Sequence, residues 1–219
     1  MGTVIGELLP LAVGVAISPI PIVAAILMIL SKNASRAAVG FAAGWVSGIV
    51  AVTAIVLVAA GVLDIAGDRQ PSTAASWVKV GLGVLLLVLA VKQWLDRADH
   101  TPPAWMRAID QLTVTRAAGL GLLLSAVNPK NLLLCVSAGL AIGSSALGNA
   151  AKVVTLAVFV LLASISVLAV VFGYAVAADR LRGALDRTRM WLQDNNHLVM
   201  AIVLLMMGAV VLGKGIAGL

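Results

Sequence analysis

Asn128, Pro129, Lys130 and Asn131 interrupt an apolar run that otherwise extends from about residue 115 to 142. Each of the four is costly away from water. The amides need hydrogen-bond partners, the proline removes a backbone donor, and a lysine at the centre of a membrane helix costs about 3 kcal/mol. Lipid can satisfy none of them. A related stretch stands in the first apolar run, Ala16-Ile17-Ser18-Pro19-Ile20-Pro21-Ile22. In both, Ala is followed by a β-branched residue, a small polar residue and Pro. A chain with two such breaks needs a fold that turns both away from the hydrocarbon.

That the surroundings are hydrocarbon follows from composition. The 219 residues are 62% hydrophobic and 11% charged, with a mean hydropathy of +1.10. This excludes a soluble domain and predicts an all-α, polytopic membrane protein. Long continuous runs, rather than alternating ten-residue segments, argue against an outer-membrane barrel. Six spans are expected, at roughly 5–30, 39–62, 77–95, 115–142, 151–176 and 198–217. A span needs about 20 apolar residues. The first and fourth are longer, and each carries a proline near its middle, so both read as broken helices. No basic residue precedes the first run and no small-residue cleavage site follows it, so it is expected to stay as a span rather than leave as a signal peptide. Cys135 is the single cysteine and excludes an intrachain disulfide.

Gly40, Gly44 and Gly48 recur every four residues on one face of the second span. Such a row lets helix backbones approach closely, within one chain or across a dimer seam, and internal packing is the simpler reading. Thr53 on the same span can bond back to a carbonyl one turn earlier. The loops set orientation. Lys32, Arg36, Lys92, Arg97, Arg107, Arg116, Arg180, Arg182, Arg187 and Arg189 border one side. Only Arg69, Lys79, Lys152 and Lys214 border the other. Positive charge stays inside, so both termini are expected outside the membrane. The basic residues flank spans, which argues against nucleic acid as a partner. Two polar segments look interfacial. One follows Pro102-Pro103, with Trp105, Met106, Ile109 and Leu112 on one face; the other runs from Asp179 to Asn196, with Leu181, Leu185 and Leu192 at helical spacing, and is expected to lie at the surface or to extend span five.

The chain therefore divides into a first three-helix repeat, residues 1–95, a cytoplasmic linker, 96–114, and a second three-helix repeat, 115–219. An odd number of spans inserts a duplicated unit upside down, giving an inverted repeat. Pro129 lies about 20 Å along a helix from Arg116 and from Gly143 at 1.5 Å per residue, and Pro19 is comparably deep. The two broken helices would then meet near the bilayer midplane, where transporters of this construction hold substrate. The candidate substrate path is Ser18, Pro19, Pro21, Asn128, Pro129, Lys130 and Asn131. The nearest partners for Lys130 are the Ser18 hydroxyl, the Asn128 and Asn131 amides and the carbonyls freed by Pro19, Pro21 and Pro129; none is an anion, so its charge would be available to an anionic or strongly polar group of the cargo. The opposing reading is that the prolines kink ordinary spans and the amides hold helices together.

The Ser18-Pro19-Ile20-Pro21 and Asn128-Pro129-Lys130-Asn131 motifs, with six spans in about 220 residues, resemble the LysE superfamily of exporters. Within it the chain is most similar to the actinobacterial GAP family of sulfolipid- and glycopeptidolipid-addressing proteins. The resemblance implies a small protein of the bacterial cytoplasmic membrane with two inverted three-helix repeats. It also implies outward movement of a cell-envelope glycolipid, often beside a larger lipid exporter. Relatives that carry metal cations have acidic residues in the paired motifs, where this chain has Ser18 and Asn128. Thiol-redox relatives need a cysteine on each broken helix, and Cys135 is alone.

Two function classes remain. The first is an exporter of a glycolipid or polar small molecule; the second is an accessory protein that scaffolds a larger lipid exporter and moves nothing itself. An enzyme is not expected: there is no histidine-rich metal site, and His100 and His197 stand at span edges, as does Glu7. No cofactor is expected. Partners expected are membrane lipids, the cargo, a larger exporter and a second copy of the chain.

Overall fold

In a bilayer every backbone polar group must be satisfied within the protein, and apolar segments of this length achieve that as helices. A computed structural model describes residues 1–30, 34–62, 73–98 and 112–219, and among these the regular structure is entirely helical. Eight α-helices follow in order: α1 (Gly2–Ala16), α2 (Pro19–Leu30), α3 (Ala34–Val62), α4 (Thr73–Leu95), α5 (Val114–Ala126), α6 (Pro129–Gly143), α7 (Asn149–Asp194) and α8 (Asn196–Ile216). A short 3-10 turn, Asp96–Ala98, follows α4. The interfacial segment expected after Pro102-Pro103 lies, apart from Leu112, outside the described residues, as do Lys32, Arg69, Arg107 and His100.

Four segments are long and apolar enough to cross a membrane: Arg36–Ala60, Ser76–Ala98, Asn149–Tyr174 and Asn196–Ile216. Two pairs pass the same test only together. These are α1 with α2, bent by 53°, and α5 with α6, bent by 66°. Both bends fall at the Pro19 and Pro129 motifs. The chain is a multi-pass membrane protein.

Packing follows a simple plan. The pair α1–α2 lies against α7, the pair α5–α6 lies against α3, and α4 lies against α8. The α3 seam is closed by glycines from both sides. A Cβ on Gly40 would stand 2.6 Å from the Val114 carbonyl oxygen, one on Gly44 would collide with the Ala118 carbonyl, and one on Gly48 with the Ser125 hydroxyl. In return, a Cβ on Gly121 would collide with the Phe41 carbonyl, one on Gly139 would stand 2.8 Å from the Thr53 carbonyl oxygen, and one on Gly143 2.7 Å from the Ala60 methyl. A second glycine seam, absent from the reading of the sequence, joins α4 and α8. There a Cβ on Gly83 would stand 2.6 Å from the Leu212 amide nitrogen, and one on Gly215 2.7 Å from that of Val80. Between the seams a core of Phe41, Trp45, Leu86, Leu134 and Phe159 is fully buried.

Thr53 does not bond back along its own helix. Its hydroxyl has no such partner and lies against the Cys135 thiol. The helix α7 is longer than any span requires: 46 residues would reach about 69 Å if straight, against a hydrocarbon core of about 30 Å. It is not straight. A Cβ on Gly173 would lie 3.6 Å from Leu181 Cδ1, although residues eight apart in a straight helix are about 12 Å apart along the axis. The segment after Gly173 therefore bends back on the span. The amphipathic stretch expected from Asp179 onward continues α7 through that bend, with Leu192 buried and Trp191 exposed.

A hydrogen-bonded bridge between the two breaks

A proline deprives the carbonyl four residues before it of its helical donor. Pro21 does this to Ile17 and Pro19 to Val15, just where α1 ends. The last carbonyls of a helix need partners in any case, and in a membrane other parts of the protein must supply them. The structure brings those partners from two distant helices. Lys130 Nζ donates to the Ile17 carbonyl oxygen at 2.8 Å, and Ser166 Oγ on α7 donates to that of Ala16 at 2.7 Å.

The second break is finished differently. Asn128 is the N-cap of α6, its Oδ1 accepting from the Lys130 backbone N–H at 3.1 Å, with Pro129 at the first helical position. Proline is suited to that place because the N–H it lacks has no helical partner there. Asn131 Nδ2 donates to the Leu124 carbonyl oxygen at 3.1 Å, serving the end of α5. Thus Asn128 begins one half-helix and Asn131 ends the other.

Ser18 joins the two breaks. Its hydroxyl accepts from Lys130 Nζ at 2.9 Å and donates to Asn131 Oδ1 at 3.0 Å. Ser18 also starts α2: its carbonyl accepts from Ile22 N at 3.3 Å, as the Asn128 carbonyl accepts from Leu132 N at 2.9 Å. Ser18 and Asn128 therefore hold equivalent backbone places, but Asn128 caps its own helix while Ser18 spends its side chain across the gap.

The bridge is dry and neutral apart from its lysine. Ser18, Lys130 and Asn131 are each no more than 2% exposed. The ion pairs of the described residues lie elsewhere, between Arg189 and Asp186 and between Lys214 and Glu7. What holds the Lys130 amine is a hydroxyl and a carbonyl at the C-terminal end of α1, the negative end of the helix dipole. Pro19 and Pro21 are buried beside it, Asn128 is half-buried, and Pro129 is exposed on the outer side of the bend. Gly40, Gly44 and Gly48 stand apart from the bridge, on the α3 seam. Ser166 was not singled out in the sequence, although Ser164-Ile165-Ser166 is the polar point of an otherwise apolar span.

Elsewhere, Glu7 is half-exposed at the start of α1; its backbone carbonyl accepts from Lys214 Nζ at 3.0 Å, and its carboxylate forms an ion pair with the same amine at 3.7 Å. His197 shares a 2.7 Å hydrogen bond with Gln93 at the opposite end of the α4–α8 pair. No group of three or more potential metal ligands occurs among the described residues.

Residues 8–217 match the model of a family described as Sap, sulfolipid-1-addressing protein. No curated protein and no solved structure matches the chain significantly. The family match spans nearly the whole chain, from the first half of α1 to beyond the end of α8 and across both breaks, and the protein belongs to the Sap, sulfolipid-1-addressing protein, family.

Proposed function

We propose that this protein exports a membrane lipid, and that the bridge of Lys130, Ser18 and Asn131 is a closed gate at the midplane of its path. The observation that carries this reading is that the gate is made from both breaks. Lys130 and Asn131 come from one and Ser18 and the Ile17 carbonyl from the other. When the breaks part, Lys130 loses its carbonyl and hydroxyl and can turn to an anionic headgroup instead. Membership of a family described as sulfolipid-1-addressing supports an anionic lipid as the cargo. No covalent step is needed, so the protein acts without being an enzyme.

The architecture we infer is six spans in two inverted three-helix repeats. The packing supports it: exchanging spans one to three with four to six turns the α1–α2 contact with α7 into the α5–α6 contact with α3, and leaves the α4–α8 pair unchanged. The excess of basic residues on one side supports both termini outside the bacterial cytoplasmic membrane. An impermeant thiol reagent that labelled a cysteine at Gly183 from outside intact cells would contradict that orientation.

The accessory reading has one observation in its favour, that every partner of Lys130 is already supplied by the protein. A deletion strain separates the two. Complementation with wild type restores surface lipid in both readings. In the exporter reading Lys130→Met, at equal membrane abundance, leaves surface lipid depleted, and Lys130→Arg restores part of it. Full surface lipid with Lys130→Met moves the accessory reading ahead.

A further inference from the structure

The two seams related by the exchange of halves are not equally closed. Along α3, six glycines bring backbones together. Along α7 the corresponding seam with α1 and α2 has none. Gly14 of α1 faces Met207 and Leu134 instead, and Gly173 of α7 faces Leu181. Branched side chains hold this seam apart, and a crevice of about 370 Å³ opens between the helices.

Its walls are Val13 and Ile17 on one side, Ile22 beyond the break, and Leu162 and Ile165 on α7. Its floor includes Ala12 and Ala16, and Ser166, whose hydroxyl is taken by the Ala16 carbonyl. Val13, Ile17 and Ile165 are 50%, 44% and 56% exposed, so the crevice opens on the outside of the bundle. Leu162 is at the middle of the span Asn149–Tyr174, and the break in α1–α2 is at the same depth. The opening therefore faces hydrocarbon and not water, and apolar walls give a polar solute nothing to bind. At roughly 30 Å³ for a methylene, near the volume of a water molecule, the space holds on the order of a dozen.

We propose that this loosely packed seam binds one acyl chain of a membrane lipid, laterally, beside the bridge. Its consequence rests on the export reading: the lipid's tail is held where Ala16 and Ile17, the last carbonyls of α1, are held by Ser166 and Lys130. A chain wedged between α1–α2 and α7 bears on both of those hydrogen bonds.

The test uses the full-length protein in lipid nanodiscs doped with a phosphatidylcholine that carries a diazirine at mid-chain. Photolabelling is mapped by peptide mass spectrometry as the probe fraction rises. Labelling at Val13–Ile17 and Leu162–Ser166 is expected to saturate, while labelling at lipid-facing Val88 on α4, 58% exposed, rises in proportion to the probe. Ile165→Trp, which fills the crevice from its rim, should cut the saturable labelling by roughly tenfold; Val13→Trp does the same from the opposite wall. Linear labelling at the crevice in the wild-type protein, or saturable labelling unchanged by a folded tryptophan variant, overturns the proposal. The readout is labelling, so it is decided whether or not the Lys130 variants export lipid.

Discussion

Lys130 does at the residue level what Pro21 prevents the backbone from doing: it gives the Ile17 carbonyl a donor. Removing it leaves that part-buried carbonyl, at membrane depth, without the partner the structure provides, at a cost of about 1–3 kcal/mol. Lys130→Met is therefore expected to fold but to melt earlier in detergent than wild type. An unchanged or raised melting temperature would mean that the carbonyl finds another donor. Ser18, Lys130 and Asn131 were legible in the sequence because polar groups in an apolar run must be satisfied somewhere. Their partners were legible in part. The Ser18 hydroxyl and the carbonyls freed by the prolines, Ile17 among them, follow from the motifs, whereas the Leu124 carbonyl that Asn131 serves has no sequence signal. Ser166 was hidden because a serine within a helix usually bonds to its own preceding turn, as Ser137 does to Leu133 and Thr155, similarly, to Ala151. The lysine was expected to stay available to cargo because none of its partners is an anion, yet a hydroxyl and a carbonyl already hold its amine.

At the scale of helices, apolar runs and prolines locate the elements well, because span length and missing backbone donors follow directly from residue type. The partners of each helix are harder to read. The spacing of Gly40, Gly44 and Gly48 marks a close approach without saying what approaches, and the Gly83–Gly215 seam has no regular spacing to mark it. The bend in α7 beyond Gly173 likewise has no proline to announce it. Gly44 and Gly119 give a direct comparison. A Cβ on Gly44 meets the Ala118 carbonyl, backbone that cannot turn aside, whereas one on Gly119 meets nothing within 4 Å. Gly44→Leu should lower stability by about 1–3 kcal/mol or prevent assembly. Gly119→Leu should stay within about 0.5 kcal/mol of wild type. Thermal melting in detergent distinguishes them, and equal melting of the two variants would contradict the packing of α3 on α5.

Across the whole molecule, the helices pair so that each broken pair lies against a long span of the other half, and the breaks face one another through Ser18, Lys130 and Asn131. The echo of the two proline motifs made their meeting foreseeable; that they meet sealed, with Ser18 2% exposed, was not. An exporter has to open that seal, while a scaffold does not. The most direct measurement is the reactivity of Ser18→Cys toward a water-soluble maleimide in membranes, with Cys135 replaced by alanine. The protein with only Cys135, fully buried one helical turn beyond Asn131, serves as the reference. If the bridge is a gate, the cysteine at position 18 reacts, slowly but measurably, and the reference does not. A cysteine at position 18 that stays as unreactive as Cys135 in folded protein contradicts the gate.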